Sequence, residues 1–381
     1  MTLLTPEFEF SEELTELRAM VREFCSEFAP ESAVRETMET ETGHDPALWR
    51  RLGTEIGVLG LAVPEAYGGD DAGLVAQAIV VEELGAALVC GPVLGTLALA
   101  MPALVAIDDE SAKTDLLPPL CSGEKVATLV APLSDGTLDE AAITVSAAGG
   151  EGGWTLNGSV SQVPDGGTAD ILLVLAATES GPALFAVEGV ATGLERTPLN
   201  TLDMTRRQAG ITFADTPARL LATGAEAVAA VTRAAQVASV LLAVEQVGGS
   251  QRMLDATVAH VSTRKQFGQP VGAYQAVKHR CANMLVQVET ARSAAYHGAW
   301  ALMDGSDDPE LAASLAQALA SEAYSFVSAS AIQMHGGLGF TWEGSPQLYF
   351  KRATTDALTL GTAAQHFDRI AAQVLDTLAP A

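Results

Sequence analysis

The chain has 381 residues, 48 % of them apolar, and a formal charge of −26 from 21 basic and 47 acidic side chains. That length exceeds one ordinary core and calls for two or three domains or layers. The charge excludes a nucleic-acid binder, which needs positive surface to release counterions from phosphates.

No window approaches ~18 uninterrupted apolar residues, so no membrane span is expected. The start, MTLLTPEFEFSEELTEL, is acidic and lacks the basic-then-apolar pattern of a secretory signal; the expected location is cytoplasmic. Residues 11–29 carry Leu14, Leu17, Val21, Phe24 and Phe28 at helical spacing, with Ser11, Glu13 and Glu16 suited to a helix start and Pro30 to its end. Residues 46–58 and 72–88 read as further helices, separated by the loop PEAYGGDDAG. Up to about residue 120 only helices are expected. Cys25, Cys90, Cys121 and Cys281 are far apart and form no C-x-x-C pair, so neither a disulfide framework nor a metal site is indicated.

From Val126 the texture changes. VATLVA, AAITVSA, GWTLNGSV, ADILLVLA, PALFAVE and QAGITFA are short, β-branched and separated by turn residues, which predicts an antiparallel β domain. Asn157-Gly158 reads as a tight turn between two of its strands. Late in this domain, Asp203, Thr205, Arg206 and Arg207 read first as a solvated charge cluster, with a ligand contact as the alternative. Helices return at about residue 224. Residues 224–264 hold no proline and predict one long helix, broken or adjusted near Gly248-Gly249. Others follow at 275–303, from the Asp308-Pro309 start to His335, and around 346–358 and 363–378. Long helices and short loops predict an antiparallel bundle. The fold class is α+β, with domains at 1–125 (α), 126–223 (β) and 224–381 (α).

Two stretches could carry chemistry. In STRKQFGQPVGAYQAVKHR, Arg264 and Lys265 end a helix, where cations complement the helix dipole. Lys278, His279 and Arg280 lie just across the turn, and together these groups also make a seat for an anion. In QMHGG, Gly336-Gly337 either caps a helix or admits a backbone or ligand closely, with Gln333 beside it as donor and acceptor.

Taken together, R-K-x-F-G-x-P-x-x-x-x-Q from Arg264 to Gln275 and Q-x-H-G-G-x-G-F-T-x-E from Gln333 resemble the acyl-CoA dehydrogenase family. The α, β, α order and the loop LAVPEAYGG extend the resemblance over nearly the whole chain. It implies FAD held between the β domain and the bundle, in tetramers built as pairs of dimers. Arg264 and Phe267, with Gln275 of the same motif, are implied at the FAD pyrophosphate. Gln333, Gly336 and Gly337 are implied at the ADP part of a neighbouring subunit's FAD, and Thr362 near the flavin. The implied reaction is α,β-desaturation of an acyl-CoA thioester, with hydride transfer to the flavin and electrons leaving to an electron-transfer flavoprotein or similar acceptor.

The chain departs from the family pattern where the base belongs. Most members have Glu-Gly-Thr where this chain has Leu360-Gly361-Thr362, and leucine takes no proton. The alternative base position of some relatives falls near Ala238. Glu245 lies seven residues on, about two turns and ~10 Å along the same helix, among Leu241, Leu242, Val244 and Val247. A carboxylate there is either paired with a basic group of another helix or a displaced base whose pKa burial raises. The loop TLVAPLSDGT matches the family's acidic loop only through Ser134 and Asp135, and relatives place an aromatic residue near Gln162. Three functions remain open: a dehydrogenase with Glu245 as its base, a base-less subunit completing the FAD site of a related chain in a heteromer, and a flavoprotein of other redox chemistry such as enoyl reduction.

Overall fold

The computed structural model describes residues 10–150 and 152–378. The N-terminal helices are α1 (Glu12–Phe28), α2 (Glu31–Met38), α3 (Pro46–Thr54), α4 (Gly73–Ala86), a π-helical segment (Val93–Ala100) continuous with α5 (Met101–Ala106), and α6 (Glu110–Cys121). Ser11 starts α1 by accepting the Leu14 N–H at 3.3 Å, and Asp45 starts α3 by accepting the Ala47 N–H at 2.8 Å. Side-chain oxygens at these positions satisfy N–H groups that have no partner inside the helix. Helix α4 is buried from Leu74 to Gly85 without interruption, so it runs through the core rather than over it.

Seven strands follow: β1 (Ala127–Val130), β2 (Ser146–Gly150), β3 (Gly153–Pro164), β4 (Ile171–Thr178), β5 (Gly181–Glu188), β6 (Leu194–Pro198) and β7 (Gln208–Thr223). They pair in the order β1-β4-β2-β3-β7-β5, with β6 on β7, and β5 returns to β4 so that the pairings form a ring. Most pairs are antiparallel, but β1 runs parallel to β4 from Ala127 opposite Ile171. Leu156, Phe185, Val187, Ile211 and Phe213 fill the interior. Asn157-Gly158 is not a turn. It lies inside β3, where the register to β7 shifts between Leu156 and Gly158. Gly158 has φ 136°, a conformation glycine tolerates at a bulge. The Asn157 amide bonds the Asp215 backbone N–H and carboxylate, both at 2.9 Å.

The bundle holds α7 (Gly224–Thr263), a small hairpin of β8 (Lys265–Gln266) and β9 (Gln269–Pro270), α8 (Gln275–Asp304), α9 (Pro309–His335), α10 (Gly337–Phe340), α11 (Pro346–Asp356) and α12 (Ala363–Leu378). Helix α7 is long and apolar enough to cross a bilayer, but most of its apolar stretch is buried inside the protein. It packs on α4, α5, α8 and α9.

Gly248-Gly249 does not break this helix. A Cβ on Gly248 would stand 2.0 Å from the Glu82 carbonyl oxygen, and one on Gly249 would stand 2.5 Å from the Tyr324 hydroxyl. On α4, a Cβ on Gly85 would meet the Glu245 carbonyl oxygen at 2.4 Å. The glycines therefore let α7 lie backbone to backbone against α4, a contact that larger residues would force apart. Gly248→Ala is expected to destabilise the chain by about 1–3 kcal/mol. Gly337→Ala, where a Cβ would meet nothing, is expected to leave stability within about 0.5 kcal/mol of wild type. Urea unfolding of the two variants checks this.

Candidate functional site

The two sequence motifs converge at one end of the bundle. Helix α7 ends at Thr263 and α9 at His335. The His260 and His335 rings stack with centroids 4.3 Å apart, bringing those two ends together. Arg264, Phe267, Gln333, Gly336 and Gly337 thus share one surface of one chain.

The β8–β9 hairpin turns through Phe267 (φ 52°) and Gly268 (φ 83°), both left-handed, as a two-residue hairpin turn requires. This turn thrusts Phe267 out, 93 % exposed. The exposed Arg264 guanidinium has no ion-pair partner among the described residues. Its carbonyl accepts the Val271 N–H at 2.8 Å, which carries the chain to the start of α8 at Gln275. No side chain caps that helix start, and Gln275 and Lys278 are exposed there. Gly336 has φ 62°, and a Cβ on Gly336 or Gly337 would meet nothing within 4 Å. An unpaired guanidinium, an uncapped helix start and a bend without side chains suit a phosphate-bearing dinucleotide. Arg280 is less available, since it donates to Ser330 Oγ at 2.8 Å and lies over the Phe326 ring.

Leu360 is buried and left-handed (φ 57°). Its carbonyl oxygen is 2.8 Å from His366 Nε2. Arg369 Nη1, which can only donate, lies 3.1 Å from His366 Nδ1. Nδ1 therefore accepts, and Nε2–H donates to Leu360. Burial, partly offset by the Leu360 carbonyl and reinforced by Arg369, lowers the His366 pKa and keeps the ring neutral. Arg369 also donates to the Asp135 carbonyl at 2.8 Å. A Cβ on Gly136 would stand 2.4 Å from the Leu360 oxygen. The Leu360 segment and the Asp135-Gly136 loop are thus packed together. Thr362 starts α12 in a reciprocal cap with Gln365, its N–H and Oγ1 each 2.9 Å from Gln365 Oε1. Ala238 is fully buried in the core, and Gln162 is exposed at φ 61°.

Glu245 sits inside a buried ion cluster. Arg206, from the segment before β7, donates to it at 2.7 Å, and Arg352 of α11 also bonds the same oxygen. Arg352 binds Asp203 at 2.8 Å and the Thr205 hydroxyl at 2.7 Å, while Arg206 reaches Asp356 at 3.1 Å. Asp203, Thr205 and Arg206 are all buried, which overturns the expectation of a solvated cluster. Burial alone would raise the Glu245 pKa. Arg206 and Arg352 outweigh it and hold the carboxyl below its ordinary value. Of the two alternatives for this carboxylate, its surroundings are those of one paired with basic groups. The two guanidiniums are ion-paired with three carboxyls, of which Asp356 is the one whose pKa is raised. Burial pushes it up to about 7, with Glu245 and Asp203 acting in the same direction against Arg206 and Arg352.

The N-terminal domain model of acyl-CoA dehydrogenases matches residues 11–124, and the C-terminal domain model matches residues 228–375. Acyl-CoA dehydrogenase IpdE2 of Mycolicibacterium smegmatis is 36 % identical over 96 % of this chain and 99 % of that protein. The chain belongs to the acyl-CoA dehydrogenase family. IpdE2 of Mycobacterium tuberculosis is 34 % identical over 96 % of this chain and 98 % of its own length. Among solved structures, the ChsE4-ChsE5 complex of Mycobacterium tuberculosis superposes with TM-score 0.87 at 28 % identity, covering 98 % of this chain and 100 % of that one. A variant of the Tcur3481-Tcur3483 steroid ACAD gives TM-score 0.85 at 31 % identity, over 97 % and 99 % of the two chains.

The acyl-CoA dehydrogenase family is one of FAD-dependent oxidoreductases. When bound, FAD supplies the two-electron chemistry that side chains lack. Sequence reading missed the partners of Glu245. One signal was present: Arg352 and Asp356 are four apart and share a helix face.

Asp356 fixes a pH dependence. Its folded pKa of about 7 lies above its ordinary 3.8, so its contribution is full below about 4 and lost as pH rises through about 7. Asp356→Asn keeps an acceptor for Arg206 and removes the titration. The variant is expected to gain stability relative to wild type by a few kcal/mol between pH 5 and pH 8. Thermal melts across that range check the sign.

Proposed function

We propose that this chain is the base-less subunit of a heteromeric acyl-CoA dehydrogenase, completing the FAD site of a related chain that supplies the catalytic base. The observation that carries the reading is the state of its carboxylates. Desaturation needs a base that takes the α-proton of the thioester and later gives it up. The position of the usual base is Leu360, buried and latched through its carbonyl. The second position, Ala238, is an alanine in the core. The nearest remaining candidate, Glu245, accepts from two arginines at once. Protonating it would take a counter-ion from two buried cations at once, which makes it a poor acceptor of a substrate proton.

The dinucleotide surface, by contrast, is open. Arg264 with Phe267 and Gln275 would hold the pyrophosphate, and Gln333, Gly336 and Gly337 would admit the ADP portion. Because both motifs lie on one surface of one chain, we assign them to the same FAD, bound chiefly by a neighbouring subunit. Thr362, tied up in its helix cap, would approach the flavin end. Two of the solved relatives carry paired names, ChsE4-ChsE5 and Tcur3481-Tcur3483, which supports a two-chain assembly here. The substrate would be an acyl-CoA whose thioester is desaturated on the partner chain. An electron-transfer flavoprotein would take the electrons, and the assembly would be a cytoplasmic tetramer.

Purification tests the reading. The chain alone is expected to bind little flavin and to show no acyl-CoA oxidation. Co-expression with a base-bearing relative is expected to yield a yellow, active complex. A flavin-loaded, active homo-oligomer would overturn it. In the active complex, Glu245→Gln is expected to lower stability by about 3–5 kcal/mol yet leave substrate bleaching of the flavin intact. Arg264→Ala should cost FAD retention, because a charge-assisted phosphate contact is lost. Flavin content and anaerobic spectra separate the two effects.

A further inference from the structure

We infer that the apolar cavity beside Arg233 is a binding site for a small amphipathic monocarboxylate, its tail enclosed by the cavity and its carboxylate paired with the Arg233 guanidinium. The cavity measures about 310 Å³, at the lower end of the range of small-molecule sites. Leu74 of α4, Leu97 of the π-helical segment, Met101 of α5, Val237 of α7 and Leu302 of α8 form much of its wall. Of the lining residues, only Gln77 and Arg233 bring polar side chains. Gln77 is already engaged, donating to the Val58 carbonyl at 3.1 Å. Met303, half exposed, lies at the rim, and its flexible thioether can adapt to a ligand.

Arg233, half-buried, is the one charged group in the lining. One nitrogen donates to the Leu302 carbonyl at 2.7 Å, and no carboxylate lies within ion-pair distance among the described residues. Burial without a neighbouring acid lowers its pKa. The fully buried Arg206 and Arg352 meet carboxylates, whereas the half-buried Arg196 and Arg207, like Arg233, bond backbone carbonyls, but neither of them lines this cavity. A guanidinium carries five N–H groups in a planar fork, so one bond to a carbonyl leaves a face free for a bidentate carboxylate. A single carboxylate balances the single cation. A dianion would bring a second charge into an apolar wall with nothing to pair it. In a chain of charge −26, an anion is retained only where such a local cation awaits it. The cavity shares no lining residue with the Arg264 surface or the Leu360 segment, so this site stands whether or not the chain supplies a base.

Calorimetric titration of the full chain, in the assembly in which it purifies, tests the inference with octanoate and with 1-octanol as the uncharged probe. Octanoate is expected to bind saturably at one site per chain. Arg233→Gln should weaken octanoate by about tenfold or more while leaving 1-octanol unchanged. Val105→Trp, which fills the cavity from its half-buried rim, should weaken both probes and serves as the independent variant if Arg233→Gln fails to fold. Non-saturable octanoate uptake, equal affinity in Arg233→Gln, or undiminished binding in Val105→Trp would each overturn the assignment.

Discussion

The bond pair that Glu245 makes with Arg206 and Arg352 organises this protein. It joins the segment before β7 to α7 and α11 in the interior. Buried charges of this kind are costly unless every member is paired. Here Asp203, Thr205 and Asp356 supply further partners, and of the three ion-paired acids Asp356 is the one whose pKa rises, to about 7. Glu245 itself can sit there because Gly85 and Gly248 let α4 and α7 approach to backbone contact. The same interaction that ties the β domain to the bundle withdraws the chain's nearest carboxylate from proton transfer.

The surface at the far end of α7 has the opposite character. Cations without partners, an exposed phenyl ring and a bend without side chains are unfavourable features for a fold to maintain for its own sake. They are what a phosphate-bearing ligand needs. The proposed division of two functions between subunits accounts for a chain that has such a surface and a leucine at the usual base position.

Much of the fold was legible because it rests on local patterns. The Asp308-Pro309 start of α9, the helical character of α7 and the shift to β-branched strands at Val126 each follow from capping, helix propensity or periodicity. Asn157-Gly158 misled because the same dipeptide that makes a turn also makes a bulge, and only the pairing with β7 distinguishes them. Gly248-Gly249 misled because a glycine pair that weakens a helix also permits close packing, and the partners, Glu82 of α4 and Tyr324 of α9, lie far away in sequence. The Asp203–Arg207 charges misled for a related reason. Their counter-ions lie on α7 and α11, and no local signal announces a pairing across such distances. The convergence of Arg264 and Gly336 on one surface was likewise a matter of topology, settled by how α7 and α9 pack.

The division of labour between two chains is tested most directly by a cryo-EM map of the flavin-loaded assembly at a resolution that shows side chains. The account predicts Arg264 of this chain at the diphosphate of a FAD whose flavin ring has its nearest carboxylate on the other chain, with Glu245 still held between Arg206 and Arg352. A flavin ring seated against a freed Glu245, or a FAD that does not touch Arg264, would contradict it.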